Sequence, residues 1–196
     1  MKKIGILGGS FNPIHNSHVE LIKKALRKKV VDEVWIVPCK KHSFNKTLES
    51  GAHRLNMINL ATKGLNNVKI SRIEFQSTGK SYTTDTIERL KKKFPKCIFS
   101  LIIGADITHE IVHWKRCKQL LKETSFIISK RKNYKLKKIR GMKIRGIISA
   151  TKGISSTGIR KRMQNNQSID SLVPKAVEEY IKNNRLYQLN LATSPL

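Results

Sequence analysis

The sequence predicts an α/β fold in which a doubly wound parallel sheet is followed by a C-terminal helical segment. Short apolar runs typical of buried strands alternate with segments of helical periodicity along the 196 residues. Strands that are separated by helices run parallel, and the helices then cover both faces of the sheet. In such sheets, ligands bind beyond the carboxyl ends of the strands.

Three strands are predicted in the N-terminal half, at 4–7, 31–37 and 68–75. The first ends at two glycines, and Asn16 or Ser17 can cap the helix that follows. The second is stopped by Pro38, and a polar loop separates it from a helix that ends at Gly64. The third alternates apolar and polar residues, as a strand with one buried face does.

Three further strands are predicted at 98–103, 126–128 and 144–149. Ser81 or Thr83 can cap the helix before the first of them, and one helical segment containing Trp114 follows it. The segment 130–143 is dense in Lys and Arg and is expected to be an exposed loop or edge. Two final helices form the C-terminal helical segment, at 157–163 and 174–183.

The length predicts one domain with a small appendage at most. Forty Lys and Arg face thirteen Asp and Glu, so the formal net charge is +27. A positive field of this size attracts nucleotides, pyrophosphate or nucleic acid. A lysine-rich solvated surface with no polyanion partner explains the charge equally well.

Cysteine usage and hydropathy predict a cytoplasmic protein. The three cysteines have neither the spacing of a zinc site nor that of a disulfide framework. Cys39 and Cys97 fall in or beside apolar runs and are expected to be buried thiols. The apolar run at the N-terminus is too short for a signal segment. No run of about 18 apolar residues predicts a membrane span, so no membrane partner is expected.

A glycine-rich turn with two histidines, from Gly8 to His18, is the first candidate site. Backbone N–H groups at a glycine turn and at the start of a helix bind anions. His15 and His18 are three residues apart and share one face of the helix start. Their imidazoles can donate hydrogen bonds to negative charge that develops on a phosphate. The alternative is a turn with two surface histidines.

The second candidate site is 154–160, where hydroxyl residues precede Arg160 at the start of a helix. Ser156 and Thr157 can cap that helix, and their amides can bind phosphate oxygens. The guanidinium of Arg160 presents a planar fork of donors that suits phosphate. A plain helix cap with a solvated arginine is the alternative.

Together the two motifs resemble the nucleotidyltransferase signature, a glycine-rich turn with His-x-Gly-His and, near the C-terminus, Ser-Ser-Thr-x-x-Arg. That family includes adenylyltransferases of the pyridine-nucleotide and phosphopantetheine types, and the resemblance implies a Rossmann-like sheet. It covers nearly the whole chain, and therefore implies a single nucleotidyltransferase domain at 1–187 with a C-terminal tail at 188–196. One residue departs from the pattern: Ser17 stands where the family has glycine, and its side chain can limit the approach of backbone to phosphate.

A third set of residues resembles the nicotinate mononucleotide branch of the family: Tyr82-Thr83, Gly104-x-Asp106 and Trp114. The resemblance implies that Tyr82, Thr83 and Trp114 surround the pyridine nucleotide and that ribose is contacted by the aspartate. An electron-poor ring stacks well on indole. Taken singly, Thr83 and Asp106 also fit helix caps, and Trp114 fits a core residue.

The loop after the second strand contributes His42 and Lys46, because relatives often place a histidine and a lysine there, against phosphate. Their spacing differs from the common Pro-Pro-His-Lys form, and a basic loop without a ligand is the alternative. Arg54 opens the next helix and is expected either to reach phosphate or to be solvated.

The resemblance implies an enzyme of NAD biosynthesis that transfers AMP from ATP to nicotinate or nicotinamide mononucleotide. The expected catalytic residues are His15, His18 and Arg160. The residues expected to bind ATP are Gly8, Gly9, Ser10, Phe11, His15, His18, Gly104, Asp106, Ile154, Ser155, Ser156, Thr157 and Arg160. Those expected to bind the mononucleotide are His42, Lys46, Tyr82, Thr83 and Trp114.

No metal ligand is assigned to the chain, because the sequence shows no carboxylate cluster and no histidine metal motif. Mg²⁺ is expected to arrive with ATP, bound mainly through the nucleotide's own oxygens. The alternatives are a phosphopantetheine adenylyltransferase and, in another class, a non-catalytic basic protein that binds nucleotides or RNA. Nucleic acid is not required as a partner. The choice between the two mononucleotides and the existence of a homo-oligomer stay open.

Overall fold

The structure is a computed structural model that describes residues 1–40, 48–76, 82–131, 134–149 and 153–188. Its strands are β1 (Lys2–Gly9), β2 (Glu33–Pro38), β3 (Val68–Ile70), β4 (Cys97–Gly104), β5 (Ser125–Ser129) and β6 (Lys143–Ile148). They form one six-stranded sheet in the order β3-β2-β1-β4-β5-β6. Every pair of neighbours is parallel.

The helices are α1 (Asn16–Arg27), α2 (Gly51–Thr62), α3 (Thr83–Lys93), α4 (Ile107–Glu110), α5 (Cys117–Glu123), α6 (Ser156–Gln164) and α7 (Lys175–Asn183). Two short 3-10 helices lie at Ile73–Gln76 and Ile111–His113. None of the helices in the described ranges is long and apolar enough to cross a membrane.

Each face of the sheet has its own hydrophobic core. One core joins α1, α2, α6 and α7 to residues such as Ile36 and Ile127, and the other joins α3 and α5 to residues such as Ile6 and Phe126. Successive strand residues enter opposite cores because side chains alternate across a sheet. The predicted doubly wound α/β sheet with a C-terminal helical segment is therefore confirmed. Its strand order reverses between β1 and β4, which opens a crevice at their carboxyl ends.

Two predicted elements differ from the structure. The strand at 68–75 is wrong beyond Ile70, because the chain turns into a 3-10 helix in which Glu74 is buried and accepts a hydrogen bond from Thr86 Oγ1 at 2.8 Å. The single helical segment around Trp114 is broken into α4, a 3-10 turn and α5. Arg116 adopts a left-handed φ of 54° that no helix continues, and it is ion-paired with Asp85 and Glu88 on α3.

The residues that precede the helices also differ from those predicted. His15, in an extended conformation, precedes α1 in place of Asn16 or Ser17. Tyr82 precedes α3, so Thr83 lies inside that helix, and Ser81 lies outside the described residues. The hydroxyl of Ser155, rather than that of Ser156 or Thr157, caps α6 by accepting the Gly158 N–H at 3.1 Å.

The basic segment 130–143 is only partly the exposed loop that its composition predicts. Leu136, Ile139 and Met142 pack against the core beneath α3 and α5, while the lysines that the structure describes in this segment remain exposed. These three apolar residues are spaced three apart and attach the described part of the segment to the core. The many charged residues between them make this spacing hard to see in the sequence. The division into a domain at 1–187 and a tail stays a prediction, and residues 189–196 lie outside the described ranges.

Candidate active site

The turn that follows β1 is folded back on itself. Phe11 has a φ of 47° and is 1% exposed, and its ring lies against Gly9. A Cβ on Gly9 would stand 3.2 Å from that ring, so glycine allows the close approach of ring and backbone there. The exposed face of Gly8, in contrast, leaves main-chain groups open to a ligand at the carboxyl end of β1.

The two histidines stack on each other at the start of α1. Their ring centroids are 3.6 Å apart with an interplanar angle of 25°. The His15 main-chain N–H donates to His18 Nδ1 at 3.2 Å, so the neutral His18 ring carries its proton on Nε2. His15 Nδ1 is buried and has no hydrogen-bond partner within the described part of the chain. His18 therefore uses one ring nitrogen within the protein, whereas His15 Nδ1 has no such partner among the described residues.

Both imidazoles are neutral near pH 7 in this structure. Burial lowers the pKa of His15 to about 4, and the positive charge of Arg131 contributes. Burial also lowers the pKa of His18 well below its usual range, with further contributions from His15 and Arg131. Neutral rings donate hydrogen bonds to an incoming phosphate, and its negative charge then favours their protonation.

The low pKa of His15 predicts that stability falls with acidification. In the unfolded chain His15 binds a proton near pH 6.5, the ordinary pKa of histidine, whereas in the folded protein its pKa is about 4. The contribution of neutral His15 to the free energy of unfolding is thus complete above pH 6.5. It is lost as the pH falls from 6.5 to 4, and the loss is about 2 kcal/mol at pH 5. Urea unfolding should show a shallower loss in His15→Asn than in the wild type. Equal slopes for the two proteins would contradict the assignment.

The motif at the start of α6 is docked onto the turn after β1. Arg160 Nη1 donates to the Asn12 carbonyl at 2.7 Å, and Ser156 Oγ donates to the Pro13 carbonyl at 2.8 Å. Arg160 Nη2 also contacts Thr157 Oγ1 at 3.3 Å, and Ile154 packs at the edge of the core. The structure therefore brings together the two candidate anion sites from opposite ends of the chain.

The carboxyl end of β4 contributes Gly104 and Asp106. A Cβ on Gly104 would overlap Asp106 Oδ1 and would lie 2.8 Å from Arg131 Nε, so this crowded junction requires glycine. Asp106 Oδ1 is ion-paired with Arg131 Nε at 2.9 Å. Asp106 follows β4, Arg131 follows β5 and the two histidines follow β1, so these groups share the carboxyl edge of the parallel sheet.

Tyr82 and Trp114 lie in segments that a hydrogen bond joins. Thr84 Oγ1 donates to the Lys115 carbonyl at 2.9 Å, and Lys115 Nζ stands 4.2 Å from the centre of the Tyr82 ring. Trp114 is partly buried and packs against the core, whereas Thr83 is the first residue of α3. His42 and Lys46 lie outside the described residues.

Comparisons with known proteins agree with this geometry. A family model described as cytidylyltransferase-like matches residues 6–162. A Bacillus subtilis protein named "Nicotinate-nucleotide adenylyltransferase" is 33% identical over 190 residues, which cover 96% of this chain and 100% of the relative. A Bacillus pumilus protein named "Probable nicotinate-nucleotide adenylyltransferase" is 35% identical with the same coverage. The chain belongs to the nicotinate-nucleotide adenylyltransferase family.

Solved structures of this family share the fold. The Plasmodium falciparum nicotinic acid mononucleotide adenylyltransferase complexed with NaAD has a TM-score of 0.83 and is 26% identical. The alignment covers 95% of this chain and 98% of that one. The same protein complexed with APC gives a TM-score of 0.81. The family predicted from the sequence motifs and the predicted α/β fold are both confirmed.

Arg54 is a residue whose environment the sequence does not predict. It is 1% exposed, so it is neither solvated nor open to a phosphate. Its guanidinium donates to the carbonyls of Ser10 and Cys39, each at 2.8 Å, and to that of Glu49 at 3.0 Å. Arg54 therefore braces the loops that follow β1 and β2.

Arg131 is a second residue that the sequence does not single out. It lies in a segment rich in Lys and Arg, so the sequence does not distinguish it from its neighbours. The order of the strands is what places it beside Asp106 and the histidine pair. Ser17, which departs from the family's glycine, is 6% exposed, so its side chain is enclosed by protein rather than projecting into solvent.

Proposed function

We propose that this chain transfers the adenylyl group of ATP to nicotinate mononucleotide, giving the dinucleotide and pyrophosphate, and that the two docked motifs are its active site. The observation that carries the proposal is the contact of Arg160 with the Asn12 carbonyl, beside the stacked histidines. It unites two groups of phosphate-binding type at the crevice between β1 and β4, where an open α/β sheet binds its ligand.

In this proposal the mononucleotide phosphate attacks the α-phosphorus of ATP in line. A P–O bond forms there as the bond to the bridging oxygen of the β-phosphate breaks, and pyrophosphate leaves with the electron pair. The attacking phosphate is mostly ionised near neutral pH, since its second pKa is about 6, so no general base is required. Catalysis then rests on positioning and on stabilising the developing charge.

Each protein group has a defined part in the proposed reaction. His18 Nε2 and the free ring nitrogen of His15 donate to the phosphate oxygens that gain charge. The main-chain amides of Ser156 and Thr157, in the first turn of α6, and the guanidinium of Arg160 hold the β- and γ-phosphates. The Ser156 hydroxyl is already engaged with Pro13, which leaves its amide as the binding group.

The proposal keeps Mg²⁺ as an ion that enters with ATP and neutralises phosphate charge. No cluster of three or more His, Cys, Asp or Glu side chains is found among the described residues. Asp106, the carboxylate identified at this edge, is paired with Arg131. This donor set suits phosphate oxygens better than a metal ion, which prefers several oxygen ligands. We therefore assign no residue of the described chain as a Mg²⁺ ligand.

The names of the relatives support nicotinate mononucleotide as the acceptor. The test is pyrophosphate release from ATP with nicotinate mononucleotide, nicotinamide mononucleotide or phosphopantetheine as acceptor. Fast release with the nicotinate compound is expected, with the two other acceptors slower. A mock purification from cells that do not express this protein measures contaminating activity. No release above that blank with any acceptor would favour the non-catalytic alternative.

Trp114→Ala is expected to raise the KM for the mononucleotide about tenfold, because it removes the indole on which we propose that the pyridine ring stacks. The KM for ATP should change little. Phe94→Leu is the matched control, since it removes an aromatic ring that packs on Trp35 before β4 begins, at the opposite end of the strand from the site. Equal KM values for Trp114→Ala and the wild type would exclude the stacking role.

The proposal also covers the cellular location of the protein and the boundaries of its domain. Cys39, Cys97 and Cys117 are free thiols, as is usual in the reducing cytoplasm, where we place the reaction. We also propose that 1–187 act as one nucleotidyltransferase domain. Nucleic acid has no part in this reaction.

A further inference from the structure

A buried hydrogen bond joins the C-terminal end of the fold to the turn after β1. Tyr187, which follows α7, donates its hydroxyl to Asn12 Oδ1 at 2.9 Å. The tyrosine is 8% exposed and the asparagine 2%. Burial raises the pKa of the Tyr187 hydroxyl, so that it remains a donor throughout the working pH range.

Asn12 is a junction of three segments that are distant in sequence. Its Oδ1 also accepts the Glu49 N–H at 3.2 Å, from the loop before α2. Its main-chain carbonyl accepts Arg160 Nη1 at 2.7 Å. The orientation of the Asn12 side chain and the location of the Arg160 guanidinium are therefore coupled through a single residue.

We infer that Tyr187 is a positioning residue for ATP: its hydroxyl fixes Asn12, which in turn holds Arg160 in place for the nucleotide's phosphates. The inference rests on the proposed function for the identity of the phosphates. The tyrosine ring belongs to the core beside α2 and α7, and phenylalanine would preserve that packing. Phenylalanine has no hydroxyl to donate. The buried Asn12 Oδ1 would then accept only the longer hydrogen bond from the Glu49 N–H.

Comparing Tyr187→Phe with Tyr180→Phe separates an effect on ATP binding from an effect on the stability of the fold. Tyr180, on α7, accepts a hydrogen bond from Asn56 Nδ2 at 3.0 Å and contacts His53 Nδ1 at 2.9 Å, both on α2. Tyr180→Phe thus removes an equivalent hydroxyl that does not touch the turn. In Tyr187→Phe, the Kd and KM for ATP should rise about tenfold, the factor of one lost hydrogen bond, while the mononucleotide KM stays within about twofold. Tyr180→Phe should leave all these constants unchanged.

Combining Tyr187→Phe with Arg160→Gln tests whether Tyr187 affects ATP binding through Arg160. If Tyr187 acts through Asn12 on Arg160, Tyr187→Phe should weaken ATP binding no further once Arg160 is replaced. ATP binding is measured by calorimetry without acceptor, and folding is checked by thermal unfolding. An unchanged ATP Kd in Tyr187→Phe, an equal loss in Tyr180→Phe, or full additivity with Arg160→Gln would each overturn the inference. Loss of adenylyl transfer in the wild type, with ATP binding retained, would overturn the proposed function instead.

Discussion

Replacing His18 by alanine should lower the turnover number on the order of 100-fold or more, with ATP binding weakened less. In the proposed mechanism, the substitution removes the Nε2 donor to the charge that develops during transfer. It also removes the stacking partner of His15 and the acceptor of the His15 main-chain N–H. The loss should be largest in the transition state, because there the phosphate oxygens carry the most charge.

His53→Ala is the control for this substitution. Its imidazole contacts Tyr180 on α7 and not the turn after β1, so turnover should stay within about twofold of the wild type. Single-turnover measurements of pyrophosphate release would separate chemistry from product release. A folded His18→Ala protein with wild-type turnover would remove the histidine from the mechanism.

The sequence predicts the sheet well, because the information is local. The apolar runs of β1, β2, β4, β5 and β6 and the glycines after β1 mark strands and turns without reference to the rest of the chain. The end of β3 and the break at Arg116 depend instead on partners that folding supplies, Thr86 for Glu74 and the α3 carboxylates for Arg116. These partners lie 12 and 28 residues away in the chain, and apolar periodicity does not report such side-chain pairs, so those two predictions are wrong.

The candidate site divides in the same way. Gly8 to His18 and 154–160 are contiguous motifs, so they are visible in the sequence. Arg131 and Tyr187 act through single contacts with residues far away in the chain, Asp106 and Asn12. An arginine among many, or a tyrosine near the end of a chain, has no local pattern that distinguishes it. The contacts of these two residues become visible only in the three-dimensional structure.

Arg54→Met should lower the free energy of unfolding on the order of 3 kcal/mol, equivalent to about 10 °C in Tm for a chain of this size. Methionine keeps much of the length and the burial but has no donors. The carbonyls of Ser10, Cys39 and Glu49 would then be left without the guanidinium that each of them contacts. A buried acceptor without a donor costs about 1–3 kcal/mol.

Arg72→Met is the control, because that arginine is exposed and lies beyond β3. Its replacement should change the free energy of unfolding by less than about 0.5 kcal/mol. Arg54→Lys should fall between the two, since one ammonium group cannot span three carbonyls that a planar fork reaches. Urea unfolding at neutral pH measures all three. If Arg54→Met were as stable as Arg72→Met, the loops after β1 and β2 would be held by other contacts, and Arg54 would then have to be reconsidered as a ligand-binding group.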